Sequence, residues 1–255
     1  MAALSVNLNK IATLRNTRAL EIPDLVHFGR IALQAGAHGL TIHPRPDQRH
    51  IRTGDVTRLT ALWKNEFPQK EFNIEGNPFL GDYMKHIRDV RPTQCTLVPD
   101  SPEANTSDHG WTLTGPGSDN AKNLAPLIAE MKSLGCRVSL FMDAGISEQE
   151  VAAVKNLHAD RIELYTEPYA ASFTKPHFKT TLAGFAQTAR AALAMGLHLN
   201  AGHDLNLANL PTLIQAIPQI AEVSIGHALI ADALEFGLPE TVKKYLAACK
   251  TEPAA

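Results

Sequence analysis

Ten consecutive residues, His43-Pro44-Arg45-Pro46-Asp47-Gln48-Arg49-His50-Ile51-Arg52, hold three arginines and two histidines braced by two prolines. Guanidinium forks match the paired oxygens of phosphate or carboxylate, and prolines stiffen the loop that carries them. In a chain of net charge -2 this is a local anion site rather than a basic surface. The plainer alternative is a solvated loop whose charges pair with each other. Two Gly-His steps, Gly202-His203 and Gly226-His227, form a second signal. Glycine lets the backbone approach a ligand, and amide groups at the start of a following helix favour an anion. Glu75, Asp143 and Glu163 supply carboxylates, and Asn7 and Asn9 supply neutral polar groups. Together these types suit proton transfer on a phosphorylated substrate.

Such residues need a frame that brings distant segments together. The chain repeats a strand-like run, a polar loop and a helical run. Strands are expected at Leu4–Asn9, Gly39–His43, Phe72–Glu75, Gln94–Val98, Arg137–Met142, Arg161–Tyr165, Leu197–Ala201 and Glu222–Ile225. Helices are expected at Asp24–Ala35, Asp55–Phe67, Tyr83–Val90, Asn120–Leu134, Glu148–Leu157, Thr180–Met195 and Leu207–Ile217, with helical sequence from Ala228 to Cys249. Eight such units average about 32 residues each, the size of a βα step. Gly36, Gly135 and Gly196 each sit between a helix end and a strand, as left-handed C-caps do. The pattern predicts a single (β/α)8 TIM barrel over residues 1–255. A doubly wound open sheet is the alternative, disfavoured because no GxGxxG follows the first strand. Barrel enzymes carry their chemistry at the C-terminal ends of the strands. Asn7, Asn9, His43, Glu75, Asp143, Glu163, Tyr165, His203 and His227 all fall there on this reading.

Composition narrows the function. The 255 residues are 44% hydrophobic and 20% charged. With a pI near 6.6 and a mean hydropathy of -0.12, the chain is neither disordered nor a nucleic-acid coat. Cys95, Cys136 and Cys249 lie far apart, in no CxxC pair, so neither a disulfide framework nor a zinc knuckle is expected. No run of 18 apolar residues occurs and no signal peptide opens the chain, so a cytoplasmic protein without a membrane span is expected. His27, His86, His158 and His177 read as surface residues of helices, and Trp63 as a packed helix face. The polar loop Asp100–Gly117 reads as a mobile lid or a passive surface loop.

The chain resembles the pyridoxine 5'-phosphate synthase family. The resemblance is carried by Val6-Asn7, Ile11-Ala12-Thr13-Leu14-Arg15-Asn16, Arg18, the stretch from Gly39 to Ile51 and Asn73-Ile74-Glu75. It continues in Leu97-Val98-Pro99, Val138-Ser139-Leu140-Phe141, Asn200-Ala201-Gly202-His203 and Ile225-Gly226-His227. It implies a (β/α)8 barrel with extra helices, assembled as a homo-octamer built from dimers. The activity implied is condensation of 3-amino-2-oxopropyl phosphate with 1-deoxy-D-xylulose 5-phosphate, with release of phosphate and water. His43 and Glu75 would be proton acceptors and His203 the proton donor. Arg45, His50 and Thr106 would hold the deoxyxylulose phosphate. Asn7, Arg18, Gly226 and His227 would hold the amino-ketone phosphate, helped by the backbone of Asp204. No cofactor and no metal are implied.

Two departures stand out. Best-known members carry Asp-His where this chain has Asn9-Lys10, a pair that would touch deoxyxylulose phosphate. Lysine adds a cation there but not a neutral-pH proton shuttle. They also carry glycine where this chain has Asp204. Two other functions fit the residues: a metal-dependent hydrolase or aldolase on His43, Glu75, Asp143 and His203, and a non-catalytic phosphosugar-binding barrel. Chelator resistance would exclude the first, and turnover the second.

Overall fold

The computed structural model describes residues 1–101, 103 and 106–250. Eight strands close into one parallel barrel in sequence order. They are β1 (Ala3–Asn7), β2 (Gly39–Ile42), β3 (Glu71–Gly76), β4 (Gln94–Leu97), β5 (Arg137–Met142), β6 (Arg161–Leu164), β7 (His198–Gly202) and β8 (Ile220–Ile225). Closure is made by β1 against β8, with Ala3 opposite Glu222 and Val6 opposite Ile225. Around them run α1 (Asn9–Asn16), α2 (Leu25–Gln34), α3 (Thr53–Glu66), α4 (Tyr83–Val90), α5 (Asn120–Ser133) and α6 (Glu148–Asn156). The ring is completed by α7 (Glu167–Ser172), α8 (Phe178–Ala194), α9 (Leu210–Ala216), α10 (His227–Phe236) and α11 (Leu238–Ala248).

The barrel and its order match the expectation, and most element ends agree within a few residues. Gly36, Gly135 and Gly196 do adopt positive φ (112°, 84° and 74°), which lets each short αβ turn close without a Cβ clash. Trp63 packs as expected, stacked on Phe72 with its indole N–H donating to the Lys70 carbonyl. Three differences have physical causes. Asn9 is not on the first strand: it opens α1, a helix the periodicity reading did not separate. The short α7 was also missed, because six residues hold too little periodicity to register. His86 is buried rather than on the surface, since Tyr83, His86, Ile87 and Val90 form the inward face of α4 at helical spacing.

Strand alternation sorts the core into two shells. Leu4, Val6, Leu40, Ile42, Phe72, Ile74, Val138, Leu140, Ile162 and Leu164 are buried in the main apolar cluster, between sheet and helices. The barrel interior is polar instead. Gln94 on β4 donates to Glu222 on β8, and Thr96 on β4 donates to Glu163 on β6, so both pairs span the barrel's inside. Ser5, Thr41, Asn73, Ser139 and Asn200 are buried too. Interiors of such barrels are ordinarily dominated by branched aliphatic side chains. A polar interior places hydrogen-bonding groups directly beneath the mouth.

Candidate active site

The loop from His43 to Arg52 follows β2 at the C-terminal end of the barrel and is held from outside. Buried Arg15 on α1 makes a two-pronged ion pair with Asp55 in the first turn of α3, at 2.6 and 2.8 Å. Asp55 also accepts the Arg52 amide. Arg15 and Asn16 further donate to the His50 carbonyl, at 3.3 and 2.8 Å. The Arg15-Asn16 string therefore serves as scaffolding that fixes where the loop's cations lie. Inside the mouth a second chain of contacts aligns β1, β2 and β3. Asn7 accepts the Asn9 amide, Asn9 accepts the His43 amide, and the Asn7 side-chain amide donates to Glu75 Oε2 at 3.2 Å.

These contacts surround a cavity of about 220 Å³ lined by Asn7, Asn9, Lys10, His43, Arg45, His50, Glu75, Thr106, His203, Asp204, Gly226 and His227. Every residue to which the resemblance gives a catalytic or substrate-binding role lines it except Arg18, whereas Asp143, Glu163 and Tyr165, also expected at the mouth, do not. Arg18 is exposed beyond α1 and its amide bonds to the Arg15 carbonyl, so this chain does not bring it to its own cavity. The two Gly-His steps also differ. Gly226 caps α10 and His227 begins it, so that helix aims its N-terminus at the cavity. No helix starts directly after His203, since α9 begins only at Leu210.

The imidazole of His43 lies between two carboxylates, with Nε2 3.4 Å from Asp100 Oδ2 and Nδ1 4.0 Å from Glu75 Oε2. Asp100 is itself bound by Arg45, at 2.6 Å from Nη2 and 3.2 Å from Nε. Burial pushes the His43 imidazole down to about 4, although Asp100 resists. Burial likewise takes His50 to about 3, helped by His43, Arg45 and Lys10. His203 is lowered by burial, with Asp204 and Asp100 opposing and Lys10 assisting. Its ring rests against Phe141 and Tyr165, with centroids 5.0 and 5.9 Å away. Glu75 moves the other way. Burial, reinforced by the nearby charges of Glu163 and Asp100, raises it well above the usual carboxylate range. Glu163 is raised to about 7 by burial, against a hydrogen bond from Thr96. Burial thus lowers the imidazoles of His43, His50 and His203 and raises Glu75 and Glu163, while the charges of His43 and Arg45 help to hold Asp100 below the ordinary carboxylate range.

Sequence reasoning missed Asp100, Ser107 and Ser224, and left Glu163 undecided. Ser107 and Ser224 line the cavity. Asp100 follows Pro99 at the end of the fourth strand, and that rim position was its available signal. Glu163 packs under Gly202, where a Cβ would sit 2.9 Å from Glu163 Oε1. Asp143 plays no part in the cavity; it accepts the Gly110 amide at 3.0 Å. Among the described residues no group of three or more His, Cys, Asp or Glu side chains is placed to hold a metal. The far half of the expected lid is anchored: Trp111 donates to Leu97 and Phe141 carbonyls, and Leu113 and Thr114 bond to Glu150. Pro102, Ala104 and Asn105 of that loop lie outside the described residues.

Fold and site together define a (β/α)8 barrel whose C-terminal mouth gathers cationic and titratable side chains around one cavity. The comparisons make the class specific. The PdxJ family, described as pyridoxal phosphate biosynthesis protein PdxJ, matches residues 4–251. Proteins called pyridoxine 5'-phosphate synthase are similar along the whole length. One from Allorhizobium ampelinum is 53% identical over 249 residues, covering 97% of this chain and 98% of its own. One from Albidiferax ferrireducens is 54% identical over 247 residues, covering 95% of each chain. Among solved structures, tryptophan synthase from M. tuberculosis aligns over 98% of this chain and 94% of its own, with TM-score 0.65 and 12% identity. The 3-keto-L-gulonate-6-phosphate decarboxylase from Vibrio cholerae aligns over 96% and 98%, with TM-score 0.60 and 10% identity. Those two share the fold. The chain belongs to the PdxJ family.

Proposed function

We propose that the mouth cavity closes the pyridine ring of pyridoxine 5'-phosphate from 3-amino-2-oxopropyl phosphate and 1-deoxy-D-xylulose 5-phosphate. The chain is an enzyme of pyridoxine 5'-phosphate synthesis, of transferase type. The observation that carries the residue-level reading is the meeting of separate segments on one cavity: the Arg45–His50 loop, the Glu75 strand end, the His203 turn and the α10 N-terminus.

Amine and ketone condense to an imine with loss of one water, the condensed chain then eliminates a second water, and the deoxyxylulose part loses its phosphate. Water adds, and an aldol-type closure with a last dehydration gives the aromatic ring. Each step moves a proton and none moves electrons to an external acceptor. Neutral His43 is ready to accept a proton. Glu75, which burial pushes above the ordinary carboxylate range, is thereby a stronger proton acceptor once ionised, and His43 Nδ1, 4.0 Å from its Oε2, is the neighbour placed to exchange a proton with it. His203 is the donor to leaving oxygen. Arg45, His50, Thr106, Asn9 and Lys10 hold the deoxyxylulose phosphate; Asn7, Gly226, His227 and the Asp204 backbone hold the other. Two phosphate dianions entering the cavity raise every imidazole there, so substrate binding itself charges the donor. Arg18 stays in the substrate-binding set only by resemblance.

The same resemblance supports a homo-octamer and a cytoplasmic setting; no described helix is long and apolar enough to cross a membrane. The test is product formation. Purified protein given both substrates yields pyridoxine 5'-phosphate by mass and absorbance, and either substrate alone yields none. Absence of product with both would overturn the assignment.

A further inference from the structure

One oxygen of Asp100 meets both a guanidinium and an imidazole. Asp100 follows β4 and is buried. The Val98 amide donates to the Gly76 carbonyl at 3.0 Å, and the Asn77 side chain donates to the Asp100 carbonyl at 2.9 Å. The end of β3 and the residue after it therefore fix where residue 100 sits. Its Oδ2 accepts from Arg45 Nη2 at 2.6 Å and from Arg45 Nε at 3.2 Å, and lies 3.4 Å from His43 Nε2. A carboxyl gripped by a guanidinium edge stays ionised, so this oxygen offers only lone pairs. The ring nitrogen facing it is then the one that carries the imidazole proton. Glu75 Oε2 lies on the other side of the ring, 4.0 Å from Nδ1. Contacts of such length are common in unliganded sites and tighten when substrate binds. The other charged or titratable groups around His43 are Arg45 and Arg49 of its own loop, His203 after β7, and His50, whose ring centroid is 5.7 Å away. All of these are cationic or neutral, so the acids that face His43 are Asp100 and Glu75.

We propose, on the acceptor role given to His43 above, that Asp100 is a positioning residue that acts through His43. Its Oδ2 keeps the imidazole proton on Nε2, so that Nδ1, on the Glu75 side, is the nitrogen that accepts. When Nδ1 takes a proton the ring becomes a cation, and the proton already on Nε2 stays in place. A fixed carboxylate beside Nε2 stabilises that cation without having to reorganise. Asp100 does not take the proton itself, because Arg45 holds its charge. The same contact braces the Arg45 fork, so the test must separate the two effects.

The measurement is the nitrogen NMR spectrum of ring-labelled histidines in whole protein at neutral pH, where protonated and bare ring nitrogens resonate far apart. The His43 signals are assigned by their loss in His43→Asn. The unsubstituted protein shows the proton on Nε2 and a bare Nδ1. Asp100→Ala removes the acceptor, and the form with the proton on Nδ1 appears. Asp100→Asn keeps an oxygen toward the Arg45 donors and removes only the charge. Its ring therefore keeps the proton on Nε2, while kcat falls about tenfold or more. In Asp100→Ala kcat falls about a hundredfold, and in both variants KM for each substrate stays within about threefold. A proton on Nδ1 in the unsubstituted protein overturns the proposal, and that reading needs no variant to fold. An unchanged ring in Asp100→Ala overturns it as well. A raised KM for deoxyxylulose phosphate with kcat kept would make Asp100 a brace for Arg45 alone, which also overturns it. The ring is read in the resting protein and product formation separately, so failure of the proposed reaction is distinct from failure of the proton placement.

Discussion

The two ends of the barrel interior are built from the same kinds of residue and do opposite things with them. At the N-terminal end Arg161 donates to Glu222 at 2.8 Å and to Asn200 at 2.7 Å. Arg137 pairs with Glu71 and donates to Gln94, which donates to Glu222 across the barrel. Two arginines there enclose two carboxyls, Glu222 being raised by burial and by the Glu71 beside it, and none of these residues lines the mouth cavity. At the C-terminal end Arg45 is bound to Asp100, while His43, His203, Glu75 and Lys10 surround open space. A buried charge in a barrel is thus not itself a sign of chemistry. The sign is a shifted titratable group that also borders open space where a ligand can reach it.

Substituting one residue at each end tests that contrast. Arg161→Met leaves Glu222 buried without its closest cation and should cost about 3–5 kcal/mol in urea unfolding. The enzyme that remains folded should keep turnover within a few fold; a collapse of kcat in folded protein would tie the two ends together. His203→Asn should do the reverse. Turnover drops by on the order of a hundredfold or more with substrate binding within a few fold and stability within about 1 kcal/mol. Near-normal turnover would remove the donor.

Glu163 lies between the two ends and gives a pH signature. Its folded value is about 7, above the ordinary 4.5 of the unfolded chain. The folded state therefore keeps a proton that the unfolded state has lost across that window. The group's stabilising contribution is full below about pH 4.5 and disappears as pH rises through 7. Glu163→Gln cannot ionise, so at pH 8 it should be more stable than the parent by up to about 3 kcal/mol, the gain shrinking toward pH 4.5. A difference independent of pH would contradict the burial of this carboxyl as its cause. The smallest effect expected is from Arg45→Ala: KM for deoxyxylulose phosphate should rise about tenfold, with little change for the amino-ketone phosphate. Equal changes for both would mean Arg45 does not distinguish the two sites.

Much of the site was legible because it lies at strand ends. His43, Glu75, His203 and His227 announce themselves by type at the C-terminal tip of a strand, where only a few residues face the mouth. Arg45 and His50 were legible from density, five basic or imidazole side chains within ten positions. The polar interior was not legible. Gln94, Thr96, Glu163 and Glu222 alternate with apolar neighbours, which reads equally as a half-exposed strand, and only barrel closure turns that face inward. Asn9 was misplaced because α1 follows β1 after a single residue, so no loop marks the change of period. The protonation of the mouth was also beyond residue type. Burial decides it, and the surroundings of His43 include Asp100, which arrives from the segment after β4.

The most direct test of the account is release of inorganic phosphate by the purified protein, with each substrate omitted in turn. The mouth as described couples phosphate loss to condensation, so release should require 3-amino-2-oxopropyl phosphate and 1-deoxy-D-xylulose 5-phosphate together, one phosphate for each pyridine ring formed. Release from either substrate alone, at a rate comparable to that with both, would contradict it.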